Sequence, residues 1–379
     1  MSQYEAVKRP VVTIPFMVLG VIGAIGLYYL VLRFIHGMGV VVNLNDGYAW
    51  GLWVVYDIVV GTALACGGYA LAITVYVLNK GKYHPLVRPA LLASLLGYGL
   101  GGIGAVIDMG RWQQFYNILL PWHMNFNSVM LEVGLCVMAY VIVLTIEFAP
   151  VVMEKFGWKN LRQRLEKILF VVIAIGVLLP TMHQSSLGSI LIAMGHKVDP
   201  LWQTLHIQPL LALLTALTMG FAIVIFEASL SSAGFNRKPE TSLLSGLGRG
   251  IVGLIAAFLV VRFAEILIRG KLGLVFAFDF SSLMFFIETA LFIYPLMVLT
   301  SARARQDSKK LFYAALSMLF AGAMYRFNAF LITFDPGPGY SYFPSFPEIM
   351  VTLGLVAIEI MVFLFIVKTF PVLHREEKA

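Results

Sequence analysis

Apolar residues run along this chain in long blocks broken by short polar segments, without the strict alternation of a half-buried strand or the stripe of a surface helix. Crossing a hydrocarbon core of roughly 30 Å takes about 20 apolar residues. Ten blocks meet that length, at 11–35, 53–78, 89–108, 126–148, 166–194, 204–230, 250–269, 281–301, 309–334 and 347–370. A chain in lipid has to satisfy its own backbone, and these blocks lack the short alternating segments of a membrane barrel, so each is predicted to be an α-helix. The first block follows Lys8 and Arg9 as a signal core would. Its apolar run of about 25 residues is too long for such a core and shows no clear small-residue cleavage site, which predicts a retained span.

Composition agrees with an all-α polytopic membrane protein: of 379 residues, 60% are hydrophobic and 12% charged, where soluble domains are nearer half apolar and a quarter charged. The two cysteines, Cys66 and Cys136, both lie in apolar blocks. That number and placement exclude a disulfide framework, a Cys-ligated zinc site and a Cys-held iron–sulfur cluster, so no metal site is expected. The net charge of +7 would suit nucleic acid if it formed a patch. Instead the basic residues sit in short loops, where they act as topology signals, and no nucleic-acid partner is expected. Twenty of the 27 Lys and Arg fall at the two termini and in or beside the loops after spans 2, 4, 6 and 8, against five in or beside the other loops. The positive-inside rule then puts both termini in the cytoplasm. In a bacterium this is an inner-membrane protein, with the Trp-, Tyr- and Pro-rich loops in the periplasm.

Laid side by side, the spans suggest an internal repeat of roughly 150 residues. Spans 4 and 8 open with Asn125-Phe126-Asn127-Ser128 and Asp279-Phe280-Ser281-Ser282, with Glu132 and Glu288 a turn or two later. Spans 5 and 9 each carry a buried base at matching depth, His183 and Arg326. The expected organisation is an N-terminal helix and loop over 1–50, a four-helix bundle of spans 2–5 over 51–200, a second of spans 6–9 over 201–340, and a C-terminal helix and tail over 341–379. An even number of helices per unit keeps the two copies parallel.

Four stretches carry a family resemblance. They are His84-Pro85-Leu86-Val87-Arg88-Pro89-Ala90-Leu91-Leu92-Ala93-Ser94, Ile107-Asp108-Met109-Gly110-Arg111, Asn125-Phe126-Asn127-Ser128 leading to Glu132, and Pro180-Thr181-Met182-His183-Gln184-Ser185-Ser186-Leu187-Gly188. Together they resemble the NrfD/PsrC family, most nearly its members that serve periplasm-facing nickel–iron hydrogenases. The last stretch is the most specific, and the likeness extends from about Asn45 to Pro371. It implies a haem-free, quinone-reactive subunit of an oxidoreductase complex that is not catalytic alone. Its expected partners are a periplasmic ferredoxin-like iron–sulfur subunit, the nickel–iron hydrogenase large and small subunits, and membrane lipid. Menaquinone or ubiquinone is the expected cofactor, with iron–sulfur clusters only in a partner, and coupled proton translocation stays open. The same motif occurs in membrane subunits of sulfur and multihaem-cytochrome complexes, so these stay open as electron donors.

Ionisable groups inside spans are functional candidates by default. They are Asp57, Asp108, Glu132, His183, Glu227, Arg262, Glu265, Glu288, Arg326 and Glu359. Glu132 and His183 are read as stations of a proton path, with Tyr98, centred in span 3, as a third member. The bland alternative makes them interhelical glue, bonded to each other or to Gln184, Ser185 and Ser186. At the periplasmic end of span 3, Asp108 and Arg111 read as an i, i+3 pair, followed by His123, Asn125 and Asn127. This cluster supplies the donors and the apolar surroundings that a quinone head group needs. Otherwise it is a helix-end ion pair with Asn125 or Asn127 capping span 4. The Asp335-Pro336-Gly337-Pro338-Gly339-Tyr340 loop reads as rigid turn structure. Transmembrane b-type haem needs paired axial histidines, and of seven histidines only His183 sits deep, so no haem is expected. A secondary transporter is the rival reading, with Pro180 and the span 3 glycines Gly97, Gly99, Gly101, Gly102 and Gly104 as its helix breaks. A passive anchor is the third.

Overall fold

All ten predicted spans are helical in the computed structural model, which describes residues 4–375. They run Ile14–His36, Val54–Val77, Gly81–Asp108, Val129–Phe156, Lys159–Lys197, Leu205–Phe235, Thr241–Ile268, Phe280–Thr300, Ser308–Ile332 and Phe346–Thr369, and are numbered 1 to 10 in that order. Several helices outrun their apolar blocks, because hydropathy marks only the part in lipid whereas backbone hydrogen bonding continues freely into water. Spans 4 and 5 extend this way to Phe156 and from Lys159. Arg162 of span 5 joins their ends by pairing with Glu154 of span 4 at 3.1 Å, and it also pairs within its own helix with Glu166 at 2.7 Å, while Arg88 of span 3 reaches Glu154 at 2.8 Å.

Ten crossings return the chain to its starting face. There Tyr4 and Glu5 pair in antiparallel register with His374 and Leu373, and the Arg88 guanidinium lies 3.8 Å from the centre of the Tyr4 ring. This is the terminal face; the opposite one is called distal. Spans 2 to 5 pack in sequence, with span 5 returning to span 2, and spans 6 to 9 close in the same manner. The two bundles meet where span 6 lies against spans 2 and 5 and where span 9 lies against the start of span 2.

Spans 1 and 10 pair outside the bundles, and span 10 rests on span 3. Their crossing depends on two glycines. A methyl at Gly26 would stand 2.6 Å from the Met350 carbonyl oxygen, and one at Gly354 would stand 2.7 Å from Gly26 Cα. Small residues let helix backbones approach in lipid, where packing rather than water expulsion holds helices together. Gly26→Leu should therefore lower the thermal unfolding midpoint of the detergent-solubilised protein, at a cost of about 1–3 kcal/mol. An unchanged midpoint would show that the two backbones separate freely.

Span 2 is the irregular one. It begins as a π-helix over Val54–Val60, continues as α-helix to Leu64, breaks at Ala65 and Cys66, resumes over Gly67–Ala72 and ends in a second π stretch, Ile73–Val77. The break frees backbone groups that lipid cannot satisfy. Ser94 of span 3 satisfies two of them, as its hydroxyl accepts from Gly68 N at 2.8 Å and donates to Ala65 O. π turns are uncommon and cluster at functional positions. The first of the two here lies against span 9, at the contact between the bundles.

Candidate functional site

The first polar cluster lies between the bundles, on spans 2, 3, 5, 6 and 9. Arg326 is 2% exposed and has no carboxylate partner among the described residues. Its guanidinium donates to Val59 O at 3.0 Å, Gln184 Oε1 at 3.0 Å, Ala212 O at 3.1 Å and Thr215 Oγ1 at 3.4 Å. Two of these acceptors are backbone carbonyls, one of them in the π-helical start of span 2. The charge is thus spread over dipoles from three helices instead of being neutralised by an acid.

Hydrogen inventory fixes the direction of the remaining bonds. Because Arg326 takes the Gln184 carbonyl oxygen, the Gln184 amide nitrogen points the other way and donates to Thr62 Oγ1 at 3.1 Å and Tyr98 OH at 3.4 Å. The Thr62 hydroxyl spends its own hydrogen on Ile58 O, so its oxygen also accepts from His183 Nε2, 3.0 Å away. That assigns the Nε2–H tautomer to His183 and leaves Nδ1 as a buried acceptor without a partner. Cys66 donates to Thr62 O at 3.3 Å, and its sulfur in turn accepts from Tyr98 OH at 3.6 Å. The Tyr98 ring meets Tyr140 edge-on at 4.5 Å and His183 at 5.8 Å between ring centres.

A second cluster adjoins the first inside the bundle of spans 6 to 9. Glu288, fully buried, pairs with Arg262 and accepts from Trp202 Nε1 and Asn328 Nδ2, both at 2.8 Å. Arg262 stands over Phe285 at 4.7 Å, Tyr325 at 5.2 Å, and Phe258 and Trp202 at 5.7 Å each. These rings offer their negative faces to the cation. Tyr325 receives Gln208 Nε2 at 3.2 Å and precedes Arg326, so one turn of span 9 serves both clusters.

Charged groups at the distal face tie its loops to the bundles. Glu265 pairs with Lys271 at 2.7 Å and Arg269 at 3.3 Å, and Lys271 also donates to Gln203 O at 2.7 Å. Glu348 closes a capping box with Ser345 and accepts from Asn43 N at 3.0 Å and Tyr342 OH at 2.6 Å. Burial, and then this neighbouring carboxylate, hold the Tyr342 phenol proton on well above its ordinary value. In the 335–340 loop, Asp335 accepts from Gly337 N at 2.9 Å, and Gly337 and Gly339 take φ of 89° and 85°, which a side chain would oppose.

Of the residues proposed from sequence, Tyr98 and His183 come together in the first cluster, and His183 meets Arg326 there through Gln184. Glu132 does not join them. It is half-buried in the first turn of span 4, and its carboxylate has no hydrogen bond or ion pair among the described residues. The expected Asp108–Arg111 pair does not form. Span 3 ends at Asp108, so the next three residues leave the helical register that would bring the two side chains together, and Arg111 is exposed. Asp108 instead lies near Arg33, whose buried guanidinium donates to Ile107 O at 2.7 Å and to Met109 O. His123, Asn125 and Asn127 are exposed in the following loop. Neither asparagine caps span 4: Asn125 Oδ1 accepts from Asn127 N at 3.1 Å, and Ser128 is the cap, accepting from Leu131 N. A short side chain closes its own turn before it reaches the helix. From sequence, Arg33 and Thr62 were passed over, Cys66 was weighed only as a disulfide or metal ligand, and Gln184 had only a bonding role. Arg33 sits near the end of an apolar block and looks like an interfacial residue, whereas the structure leaves it 1% exposed.

Comparison with known proteins adds the context that geometry lacks. A family described as "Polysulphide reductase, NrfD" matches residues 40–333. A protein of Escherichia coli K12 named "Probable Ni/Fe-hydrogenase 2 b-type cytochrome subunit" is 48% identical over 365 residues, 96% of this chain and 93% of that one. A "Menaquinone reductase, integral membrane subunit" of Nitratidesulfovibrio vulgaris is 26% identical over 259 residues, 63% of this chain and 59% of that one. The first of these names overturns the expectation of no haem, since a relative alike over nearly the whole chain is called a b-type cytochrome. The chain's own residues do not fit a haem held by two histidines. His183 has its Nε2 committed to Thr62, and the six other histidines stand at span ends or in loops. Ten apolar helices, a buried Pro180-to-Gly188 stretch at the bundle contact and a match over most of its length together place this chain in the NrfD family.

Proposed function

We propose that this chain is the quinone-reactive membrane subunit of a bacterial respiratory complex. It passes electrons between an iron–sulfur partner on the distal face and a quinone in the membrane. The observation that carries this reading is the cluster of buried hydrogen-bonding groups in the distal half of the bundle contact, where Arg326 donates to Gln184 and both Gln184 and His183 donate to Thr62 Oγ1. Quinone chemistry needs protons as well as electrons, and the His183 imidazole, with no hydrogen-bond partner at Nδ1 among the described residues, can take one up beside the Tyr98 phenol. The names of the relatives favour the same class, one serving a nickel–iron hydrogenase and another reducing menaquinone. Hydrogenase large and small subunits and a ferredoxin-like subunit are accordingly the proposed partners, with hydrogen as the source of electrons.

The quinone head group is placed at the distal end of span 3. Half-buried Asp108 ends span 3 there, the Arg33 guanidinium holds the carbonyls of Ile107 and Met109 on either side of it, and the Trp112 ring packs edge-on against Phe34 at 4.9 Å. Arg111, His123, Asn125 and Asn127 line the approach from the loop. Tyr98 and His183 carry protons toward the site, and Glu132 contributes from the first turn of span 4. The test is the purified complex assayed with hydrogen and either a quinone or an artificial dye. Asp108→Asn is expected to slow quinone reduction while leaving dye reduction unchanged. If both activities fall together, Asp108 is structural, and if the parent complex reduces no quinone, the reading fails.

Sidedness follows from the same proposal, with the terminal face in the cytoplasm of a bacterial inner membrane. A C-terminal fusion to a reporter that works only in the periplasm is expected to be silent, and one that works in the cytoplasm to be active. The reverse pattern would put the iron–sulfur partner on the wrong side.

A further inference from the structure

The glycine side of span 3 faces spans 2 and 10 and touches the network around Tyr98 and His183 only at Thr62, whose Cγ2 would lie 3.1 Å from a methyl at Gly101. Gly97, Gly101 and Gly104 are spaced i, i+4 and i+7 and so share one face of the helix. A methyl at Gly104 would stand 2.6 Å from Asp57 Cβ and 2.7 Å from its Oδ2. One at Gly101 would stand 3.1 Å from the Asp57 carbonyl oxygen, and one at Gly97 would stand 3.4 Å from Glu359 Oε1. The glycines therefore make room for two acids that come from different helices, spans 2 and 10.

Asp57 is 1% exposed, and neither of its carboxyl oxygens has a hydrogen-bond partner among the described residues. The buried guanidinium of Arg33 is committed to carbonyls at the end of span 3. Along the same face Asp108 ends span 3 one turn beyond Gly104, and Glu359, halfway along span 10, stands at Gly97. A carboxyl group without an ion-pair partner in such a setting serves to bind and release a proton.

We propose that Asp57 and Glu359 are proton-binding stations of a second transfer line, which runs from Asp108 along the glycine side of span 3 to the middle of the membrane. Glu359 and Asp57 stand at glycines seven residues apart, about 10 Å along the helix, so each transfer breaks an O–H bond on one carboxyl group and forms one on a bridging water, which gives up a proton to the next carboxyl, with no electrons moved. The seam of spans 2, 3 and 10 carries it and meets the network of Tyr98 and His183 at Thr62. Its coupling to quinone rests on the functional reading above, but proton binding by the two acids does not.

The complete complex in liposomes provides the test. Infrared titration of the protonated-carboxyl C=O stretch needs no quinone, and each of Asp57→Asn and Glu359→Gln is expected to remove one component of it. With hydrogen and quinone, each variant is expected to lose the generated membrane potential by about tenfold or more while dye reduction stays unchanged. Glu359 is half-buried at the seam, so its variant assembles even if the Asp57 site does not tolerate change. A carboxyl signal that is the same in the parent and both variants overturns the proposal, as does a potential retained in both. A parent complex that reduces no quinone sinks the functional reading instead, and the infrared signal still decides whether the acids bind protons.

Discussion

Replacing Glu288 by leucine is expected to destabilise the protein by about 3–5 kcal/mol, the usual cost of stranding one partner of a buried ion pair. Glu288 is fully buried and is the only carboxylate paired with Arg262 among the described residues. Its loss would leave the guanidinium facing aromatic rings, with Arg262 Nε and Nη2 already lacking hydrogen-bond partners. Trp202 Nε1 and Asn328 Nδ2 would lose their acceptor in the same step. Arg262→Leu alone should do less damage, because Glu288 would keep those two donors. Removing both charges together is expected to cost less than the sum of the two, since the double variant strands no ion. Denaturant unfolding of the detergent-solubilised variants measures all three. If Glu288→Leu lies within about 1 kcal/mol of the parent, water reaches the pair and the burial argument fails.

In the assembled complex, His183→Ala and Tyr98→Phe are expected to lower quinone reduction by roughly a hundredfold or more, the usual contribution of a positioned proton-transfer group. Tyr98→Phe is the cleaner of the two. It removes one oxygen while leaving the ring packed on Tyr140, and it deprives only Cys66 and Gln184 of a partner. His183→Ala also empties a buried site and is read beside a thermal melt. Hydrogen-to-dye activity is expected to survive in both, because the electrons reach the dye before they reach this subunit. Glu132→Gln should have a smaller effect, since its half-buried carboxylate has no hydrogen bond or ion pair among the described residues. Variants that assemble and keep both quinone reduction and the generated potential would show the cluster to be interhelical glue.

Parts of this site were legible along the chain. The Pro180-to-Gly188 stretch marked the fifth span, and the depth of His183 and Arg326 marked both as buried bases. Their meeting was not legible. It needs span 5 and span 9 to face one another across span 2, and it runs through Gln184, which hydropathy treats as an ordinary polar residue. The Asp108–Arg111 pair failed for a related reason, because helical spacing places two side chains together only while the helix continues, and this one stops at Asp108. The span 3 glycines, read from sequence as helix breaks, lie instead in an unbroken helix, and the break falls in span 2 at Ala65 and Cys66.

What the sequence determined by itself is the number of crossings, their helical form and the return of both termini to one face. Each of these follows from the length of an apolar run and from the need of a backbone in lipid to bond to itself. Tertiary structure alone decided which polar groups have partners. That Arg326 is held by carbonyls, that Arg262 lies among rings on Glu288, and that Asp57 stands unpaired against Gly104 all depend on the rotation and lateral contact of helices far apart in the chain. Lipid constrains every span to be apolar outside but leaves open which face turns inward, and packing between neighbours settles that choice.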